Sequence, residues 1–121
     1  MLKCFVFVLA LVPGASFAQT VWEDQGSRVE TVAYSCTTAI DELSVAYFTA
    51  PDATSFAAMH IAGVVHAMVQ DISGSGVRYV DIDEQSGYRI HTKGDALLLL
   101  KQEADDTAEE ELLAECTAQK S

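Results

Sequence analysis

The chain has 121 residues, half of them hydrophobic, and a formal net charge of −11 at pH 7. This length suits one small domain with a single core. An acidic surface repels nucleic acid and anionic membranes, so we exclude nucleic acid as a partner. The charge favours either basic protein partners or plain solubility.

Residues 1–18 have the pattern of a secretory signal peptide. Lys3 gives a basic start, an apolar run follows from Phe5 to Val12, and Ser16-Phe17-Ala18 supplies the small residues that signal peptidase recognises. A membrane anchor is the alternative, but the apolar run is too short to span a bilayer. We therefore expect cleavage after Ala18.

The mature domain predicted by this cleavage comprises residues 19–121. A lipoprotein would need a cysteine directly after the cleavage point, and Gln19 stands there instead. We expect a soluble exported protein in the periplasm, without a membrane anchor. Because Lys3 is lost with the signal, the net charge changes from −11 to −12.

Two cysteines remain in the mature domain, Cys36 and Cys116, one near each end. Cysteines in an oxidising compartment usually pair, so we predict a disulfide that closes most of the domain into one loop. A metal-binding or catalytic role is the alternative, although no C-x-x-C spacing supports it.

Short runs rich in Val, Tyr, Phe and Thr predict mostly strands, and turn residues separate these runs. We expect strands at Thr31–Cys36, Leu43–Thr49, Val77–Ile82, Tyr88–Thr92 and Ala96–Lys101. Short strands at regular spacing favour a sandwich or a barrel.

Two further segments are ambiguous. Ala57–Ile72 is long and apolar with Gly63 inside it, which predicts two strands around a bend, with a helix as the alternative. The acidic segment 103–115 predicts a loop and then a last strand ending at Cys116, with a short helix near Thr107 as the alternative. We interpret its carboxylates as a solvated face.

Candidate catalytic and metal-binding groups are sparse. On one extended strand His60 and His66 would share a face, and a metal site would need His91 as well. Three carboxylates share one turn, which is a poor arrangement for a glycosidase pair: Asp81, Asp83 and Glu84. We predict a protein that is not an enzyme and that uses no cofactor and no metal.

Two turn signals are more informative, Ser75-Gly76 and Lys93-Gly94, each beside a predicted strand. Binding residues are often carried on loops that a rigid scaffold holds in place. A serine hydroxyl and a lysine ammonium can both donate hydrogen bonds to a carboxylate, which suits blocking an acidic active site. The simpler interpretation is an ordinary turn and an exposed lysine.

These segments resemble motifs of the bacterial inhibitors of c-type lysozyme, the MliC/PliC family. Ser75-Gly76-Val77-Arg78-Tyr79 resembles the family's SGxxY motif, and Tyr88 to Ala96 is similar to its YxFWxKGxxA motif. Tyr34-Ser35-Cys36 resembles the Y-x-C of its first strand, and Cys116 lies where its closing cysteine falls. The resemblance extends over nearly all of the mature chain.

The resemblance implies an all-β fold, a small antiparallel eight-stranded β-barrel closed by one disulfide. It also implies that Ser75 and Lys93 enter the active-site cleft of a c-type lysozyme and engage its two catalytic carboxyls. On the same basis, the residues expected to contact lysozyme are Ser75, Gly76, Arg78, Tyr79, Lys93 and Gly94. C-type lysozymes are usually basic, so the acidic charge of this chain would speed their capture.

Three features depart from the family pattern. The segment between Tyr79 and Tyr88 is longer than usual, and its acidic residues predict either added contacts or a clash with a lysozyme. His91 stands where the family usually has Trp, which predicts poorer apolar packing beneath the Lys93 turn. One residue fewer than usual separates Gly94 from Ala96.

A second class of function is a periplasmic barrel that binds a small apolar ligand. The barrel interior distinguishes the two, because large inward-facing side chains fill a small barrel, whereas a ligand needs a void of roughly several hundred Å³. We expect Tyr34, Phe48, Met68 and Tyr79 to point inward.

Overall fold

A computed structural model describes most of the domain, namely residues 19–37, 40, 43–71, 75–83, 85–102 and 110–119. The predicted signal peptide, the alternative helix near Thr107 and most of the acidic segment lie outside these residues. Across the described ranges the secondary structure is entirely strands and turns. No helix long and apolar enough to cross a membrane occurs among them.

The described residues form nine strands. These are β1 (Gln19–Asp24), β2 (Ser27–Cys36), β3 (Leu43–Thr49), β4 (Ser55–Ile61), β5 (Val64–Asp71), β6 (Val77–Asp81), β7 (Tyr88–Lys93), β8 (Ala96–Lys101) and β9 (Glu111–Ala118).

Each strand pairs antiparallel with the next, and β2 also pairs with β9. This last pairing joins Tyr34 to Ala118, Ser35 to Thr117 and Cys36 to Cys116, so that β2 to β9 close into a barrel of eight strands. Closure leaves the barrel strands without exposed edges. The predicted antiparallel eight-stranded barrel is confirmed.

The predicted disulfide between Cys36 and Cys116 is present. The two cysteines occupy paired positions of β2 and β9, so the bond lies on the seam that closes the barrel. Its half-cystines are 80 residues apart in sequence, and the barrel is therefore also a covalent loop.

Strand β1 lies outside the barrel and has no counterpart among the sequence predictions. It pairs with the first part of β2, from Ser27 to Val32, along the same edge that β9 uses further on. Gln25 and Gly26 both have positive φ, which suits the tight turn between β1 and β2. Because Val21 and Trp22 are both largely exposed, β1 lacks a buried face that would produce a recognisable pattern.

Side chains of alternate residues fill the barrel axis. The most deeply buried are Leu43, Val45, Met59, Met68, Ile90, Leu97 and Leu99. Tyr34, Met68 and Tyr79 are buried in the interior, as expected. The prediction for Phe48 is wrong: Leu43 and Val45 face inward on β3, so Phe48 falls on the outer face and is 39% exposed.

The apolar segment from Ala57 forms two strands, β4 and β5, around a turn at Ala62-Gly63, as predicted. This turn separates His60 from His66, so the expectation that they share one strand face is wrong. His60 is exposed on the outside of β4, whereas His66 is half-buried with Nδ1 2.9 Å from Oδ2 of Asp81. Within the described part of the chain, no group of three or more His, Cys, Asp or Glu could hold a metal.

The last predicted strand is also present, although β9 continues past Cys116 to Ala118. In an antiparallel meander, successive connections alternate between the two ends of the barrel. The β5–β6 and β7–β8 connections therefore lie at one end, and the longer β6–β7 connection lies at the other. The longer hairpin is therefore separated from the turns of Ser75 and Lys93 by the length of the barrel. Its effect on a bound lysozyme, added contacts or a clash, stays a prediction.

Candidate functional site

The two turns that carry Ser75 and Lys93 lie side by side at one end of the barrel. Ser75-Gly76 leads into β6, Lys93 ends β7 with Gly94 directly after it, and these strands pair with Val77 opposite Thr92. A Cβ placed on Gly76 would lie only 3.3 Å from the Cβ of Lys93. We call these four residues, Ser75, Gly76, Lys93 and Gly94, the rim site.

Glycine is required at one position of the rim site by both conformation and space. Gly76 has φ +73°, and a Cβ there would overlap the carbonyl oxygen of Thr92. Gly94 also has a positive φ, +60°, but a Cβ there would meet nothing within 4 Å. The Ser75 turn is thus fitted closely to β7, whereas the Lys93 turn stands open.

His91 fixes the Ser75 turn. Its Nε2 lies 2.6 Å from the carbonyl oxygen of Ser75, and since a carbonyl only accepts, Nε2 carries the proton and donates it. Sequence reasoning treated His91 as a loss of packing and missed this hydrogen bond. Through this hydrogen bond, His91 on the outer face of β7 links the Ser75 turn to the strand that ends at Lys93.

The side chains of Ser75 and Lys93 are exposed at this end of the barrel. Their backbones belong to turns anchored on paired strands, so both donors are held on a rigid support. A hydroxyl and an ammonium placed next to each other can engage two neighbouring acceptors of a partner.

Arg78 and Tyr79, the other two residues assigned to lysozyme contact, belong to the barrel wall. Arg78 lies on the outside, with an ion pair to Glu110 and a longer one of 4.0 Å to Asp71. Tyr79 is buried, and its hydroxyl is hydrogen-bonded to Oγ of Ser55 at 2.6 Å. In this structure both residues support β6 behind the Ser75 turn.

Two clefts border the rim site. One of about 570 Å³ lies on the Ser75 side, between the β3–β4 and β5–β6 connections, where Phe56, Gln70 and Asp71 line it. The other, of about 220 Å³, is the mouth of the barrel beside Gly94. We call this second cleft the barrel mouth. Its polar lining comes from Glu30, Tyr34, Tyr47, Tyr79, Thr92 and Asp95.

Three tyrosines dominate the barrel mouth. The hydroxyls of Tyr34 and Tyr47 are hydrogen-bonded at 2.7 Å, and the rings of Tyr47 and Tyr79 are 5.6 Å apart. Burial raises the pKa of all three phenols, and the negative charge of Glu30 acts in the same direction. The phenols are therefore neutral at neutral pH and act through their hydroxyl groups.

Comparison with known proteins identifies the family of this chain and a solved relative of its fold. A family model described as "Membrane-bound lysozyme-inhibitor of c-type lysozyme", MliC, matches residues 34–108, more than half of the chain. The chain belongs to the MliC family. The matched segment contains both turns of the rim site and Cys36, whereas β1 and Cys116 lie outside it.

The fold of this MliC-family chain is similar to that of a solved inhibitor, PliC-St, the periplasmic lysozyme inhibitor of C-type lysozyme from Salmonella typhimurium. The two chains share 20% sequence identity with a TM-score of 0.57, over 75% of this chain and 98% of the other. At this identity the likeness establishes the fold alone. Among curated proteins none matches the chain.

Proposed function

We propose that this chain is a protein inhibitor of c-type lysozyme that acts in the periplasm, and that the rim site enters the lysozyme active-site cleft. The observation that carries the proposal is the adjacency of exposed Ser75 and Lys93 at one end of a closed barrel. Membership of the MliC family and the fold shared with a periplasmic inhibitor support it.

The chemistry of the rim site suits the target. A retaining glycosidase works with one protonated and one ionised carboxyl group in its cleft. The Lys93 ammonium pairs with the ionised carboxylate and lowers its pKa, whereas the Ser75 hydroxyl can hydrogen-bond either form. A rim that fills the cleft also excludes the substrate, so the inhibitor needs no chemistry or cofactor of its own.

The rigidity of the rim site favours tight binding. Gly76 lets the Ser75 turn approach β7 closely, and His91 holds the Ser75 carbonyl. A turn that is held in one shape before binding loses less conformational entropy when a partner binds. The acidic surface would add electrostatic steering of a basic lysozyme.

The interior of the barrel does not favour the alternative of an apolar-ligand carrier. Its axis is occupied by large apolar side chains that are almost inaccessible, among them Met59, Ile90 and Leu99. The cleft at the barrel mouth is lined by carboxylates and hydroxyls, which disfavour an apolar ligand.

Substitutions at the rim site test the proposal. Lys93→Met should weaken binding of a c-type lysozyme by about 2 to 5 kcal/mol, mostly through faster dissociation, because a desolvated carboxylate loses its partner. The matched control is Lys101→Met, which removes the same charge from the end of β8 away from the rim site.

Ser75→Ala should cost about 1 to 3 kcal/mol of binding, because it removes one hydrogen bond to a charged or polar group. Ser35→Ala is its control, since Ser35 is exposed on the wall of β2. Inhibition constants and melting temperatures should be measured for all four variants. Normal melting with inhibition equal to the parent in both rim variants would show that the rim site is not the inhibitory surface.

A further inference from the structure

The barrel mouth has a composition that differs from the rest of the interior. Strand alternation that buries Val32 and Tyr34 also turns Glu30 toward the interior, at the end where the barrel opens. Glu30 keeps 20% of its side chain exposed and lies 3.5 Å from Nη2 of the more exposed Arg28. Glu30 thus brings a carboxylate to the inner face of β2 at the barrel mouth, where most other inward-facing side chains of the strand are apolar.

The polar residues that line the barrel mouth carry oxygen and no nitrogen on their side chains. Glu30 and Asp95 supply carboxylates, and Tyr34, Tyr47 and Tyr79 supply neutral hydroxyls. Valine side chains, Val32 and Val77, and the methyl group of Ala118 line the same cleft. Converging oxygen acceptors and carboxylates above an apolar wall fit a cationic head group on an alkyl chain.

The size and position of the barrel mouth identify the source of such a group. A volume of about 220 Å³ accommodates one long side chain and is smaller than the usual pocket for a free ligand. The cleft opens beside Gly94, next to Lys93, so a protein held at the rim site would cover it. Asp95 is fixed there because its carbonyl oxygen accepts a hydrogen bond from the Ala118 amide at 2.8 Å.

We propose that the barrel mouth receives a lysine or arginine side chain of the bound c-type lysozyme, which pairs with Glu30 and Asp95 and hydrogen-bonds to the tyrosine hydroxyls. This proposal rests on the proposed function, and it adds a second contact in which the charges of the two partners are reversed. At the rim site the inhibitor offers a cation to lysozyme carboxylates, whereas at the barrel mouth it offers carboxylates to a lysozyme cation.

The test compares Glu30→Gln with Glu115→Gln, measuring association and dissociation rates with a purified c-type lysozyme. Glu115 is exposed on the outer face of β9, so each variant loses one negative charge and the long-range field changes equally. We expect Glu115→Gln to slow association slightly. Glu30→Gln should in addition dissociate at least about tenfold faster, because a desolvated ion pair is lost.

Tyr47→Phe provides a second test in the same cleft that keeps the aromatic ring. It should raise the dissociation rate by a smaller factor of about threefold to tenfold, through loss of one hydroxyl. Melting temperatures identify any variant that loses its fold. Should Glu30→Gln melt early, the Tyr47→Phe rate decides the matter, and a rate equal to that of the parent overturns the proposal.

The outcomes separate this proposal from the proposed function. A parent protein that inhibits, with a damaging Lys93→Met change and equal rates for Glu30→Gln and Glu115→Gln, overturns the barrel-mouth contact alone. A parent that neither binds nor inhibits any c-type lysozyme overturns both. Rapid dissociation confined to Glu30→Gln and Tyr47→Phe supports the contact.

Discussion

Comparing Gly76→Ala with Gly63→Ala separates two energetic costs of adding a side chain at a glycine of positive φ. These costs are backbone strain and steric overlap with a neighbouring residue. Gly76 has φ +73°, and a Cβ there would overlap the carbonyl oxygen of Thr92 while lying 3.2 Å from Nε2 of His91. The neighbour that must move is backbone of a paired strand, so it cannot rotate away. Gly63 has a similar φ, +80°, but a Cβ there would meet nothing within 4 Å.

The comparison gives magnitudes for each cost. A residue with a side chain at positive φ is strained by about 1 to 2 kcal/mol, offset by about 0.4 to 1 kcal/mol from the stiffer unfolded chain. Gly63→Ala should therefore lower the free energy of unfolding by about 1.6 kcal/mol at most. Gly76→Ala adds about 1 to 3 kcal/mol for forced displacement of packed atoms, giving about 1 to 4.6 kcal/mol in total.

Denaturant unfolding of both variants, followed by circular dichroism, checks these values, and lysozyme inhibition is measured on the same samples. Gly76→Ala should also weaken inhibition at temperatures where it is fully folded, because the Ser75 turn must move away from β7. Gly63→Ala should inhibit as the parent does, since its turn lies at the other end of the barrel. Equal destabilisation of the two variants would refute the close fit of the Ser75 turn against Thr92.

Three further outcomes are expected. The oxidised mature protein should contain no free thiol, and replacing both Cys36 and Cys116 with serine should lower the free energy of unfolding by about 4 kcal/mol in the chain-entropy model. Thiol titration and denaturant unfolding measure these two quantities. A reactive thiol in the native protein would contradict the prediction. Association with a basic lysozyme should slow as salt increases, because charges more than about 10 Å apart are screened at 0.1 M salt; stopped-flow rates that do not change with salt would assign the acidic surface to solubility alone. His91→Phe should weaken inhibition several-fold with little change in melting temperature, because the Ser75 carbonyl loses its hydrogen-bond donor. The control His60→Phe, on the exposed face of β4, should inhibit as the parent does. Equal inhibition constants for the two variants would contradict the prediction.

Most strands and the disulfide could be predicted from the sequence. The strands follow from local residue composition, and the disulfide follows from two cysteines in a chain predicted to be exported to an oxidising compartment. Leu43 to Thr49, for example, shows the β-rich composition of a barrel strand, and β3 occupies those residues. The direction of a side chain needs the register of its strand as well. Phe48 was expected inside on account of its size, but alternation from Leu43 places it outside.

Other features depend on contacts between segments that sequence patterns do not encode. Strand β1 is held by backbone pairing with β2, so its exposed side chains carry no periodic signal. The His91 hydrogen bond exists only because the Ser75 turn crosses close to β7. Glu30 could have been found, since it is two and four residues before the inward-facing Val32 and Tyr34 and so shares their side of β2.

The position of the disulfide determines how the protein would bear a mechanical load. Three residue pairs and one covalent bond join β2 to β9, and the strands before Cys36 lie outside the loop that this bond closes. A force that pulls the two ends apart would separate β1 from β2 and the first part of β2 from β3, and would then be carried by Cys36 and Cys116. The enclosed loop, with Ser75 and Lys93, would bear no tension until the bond was reduced, so reduction would act as the release for unfolding under force.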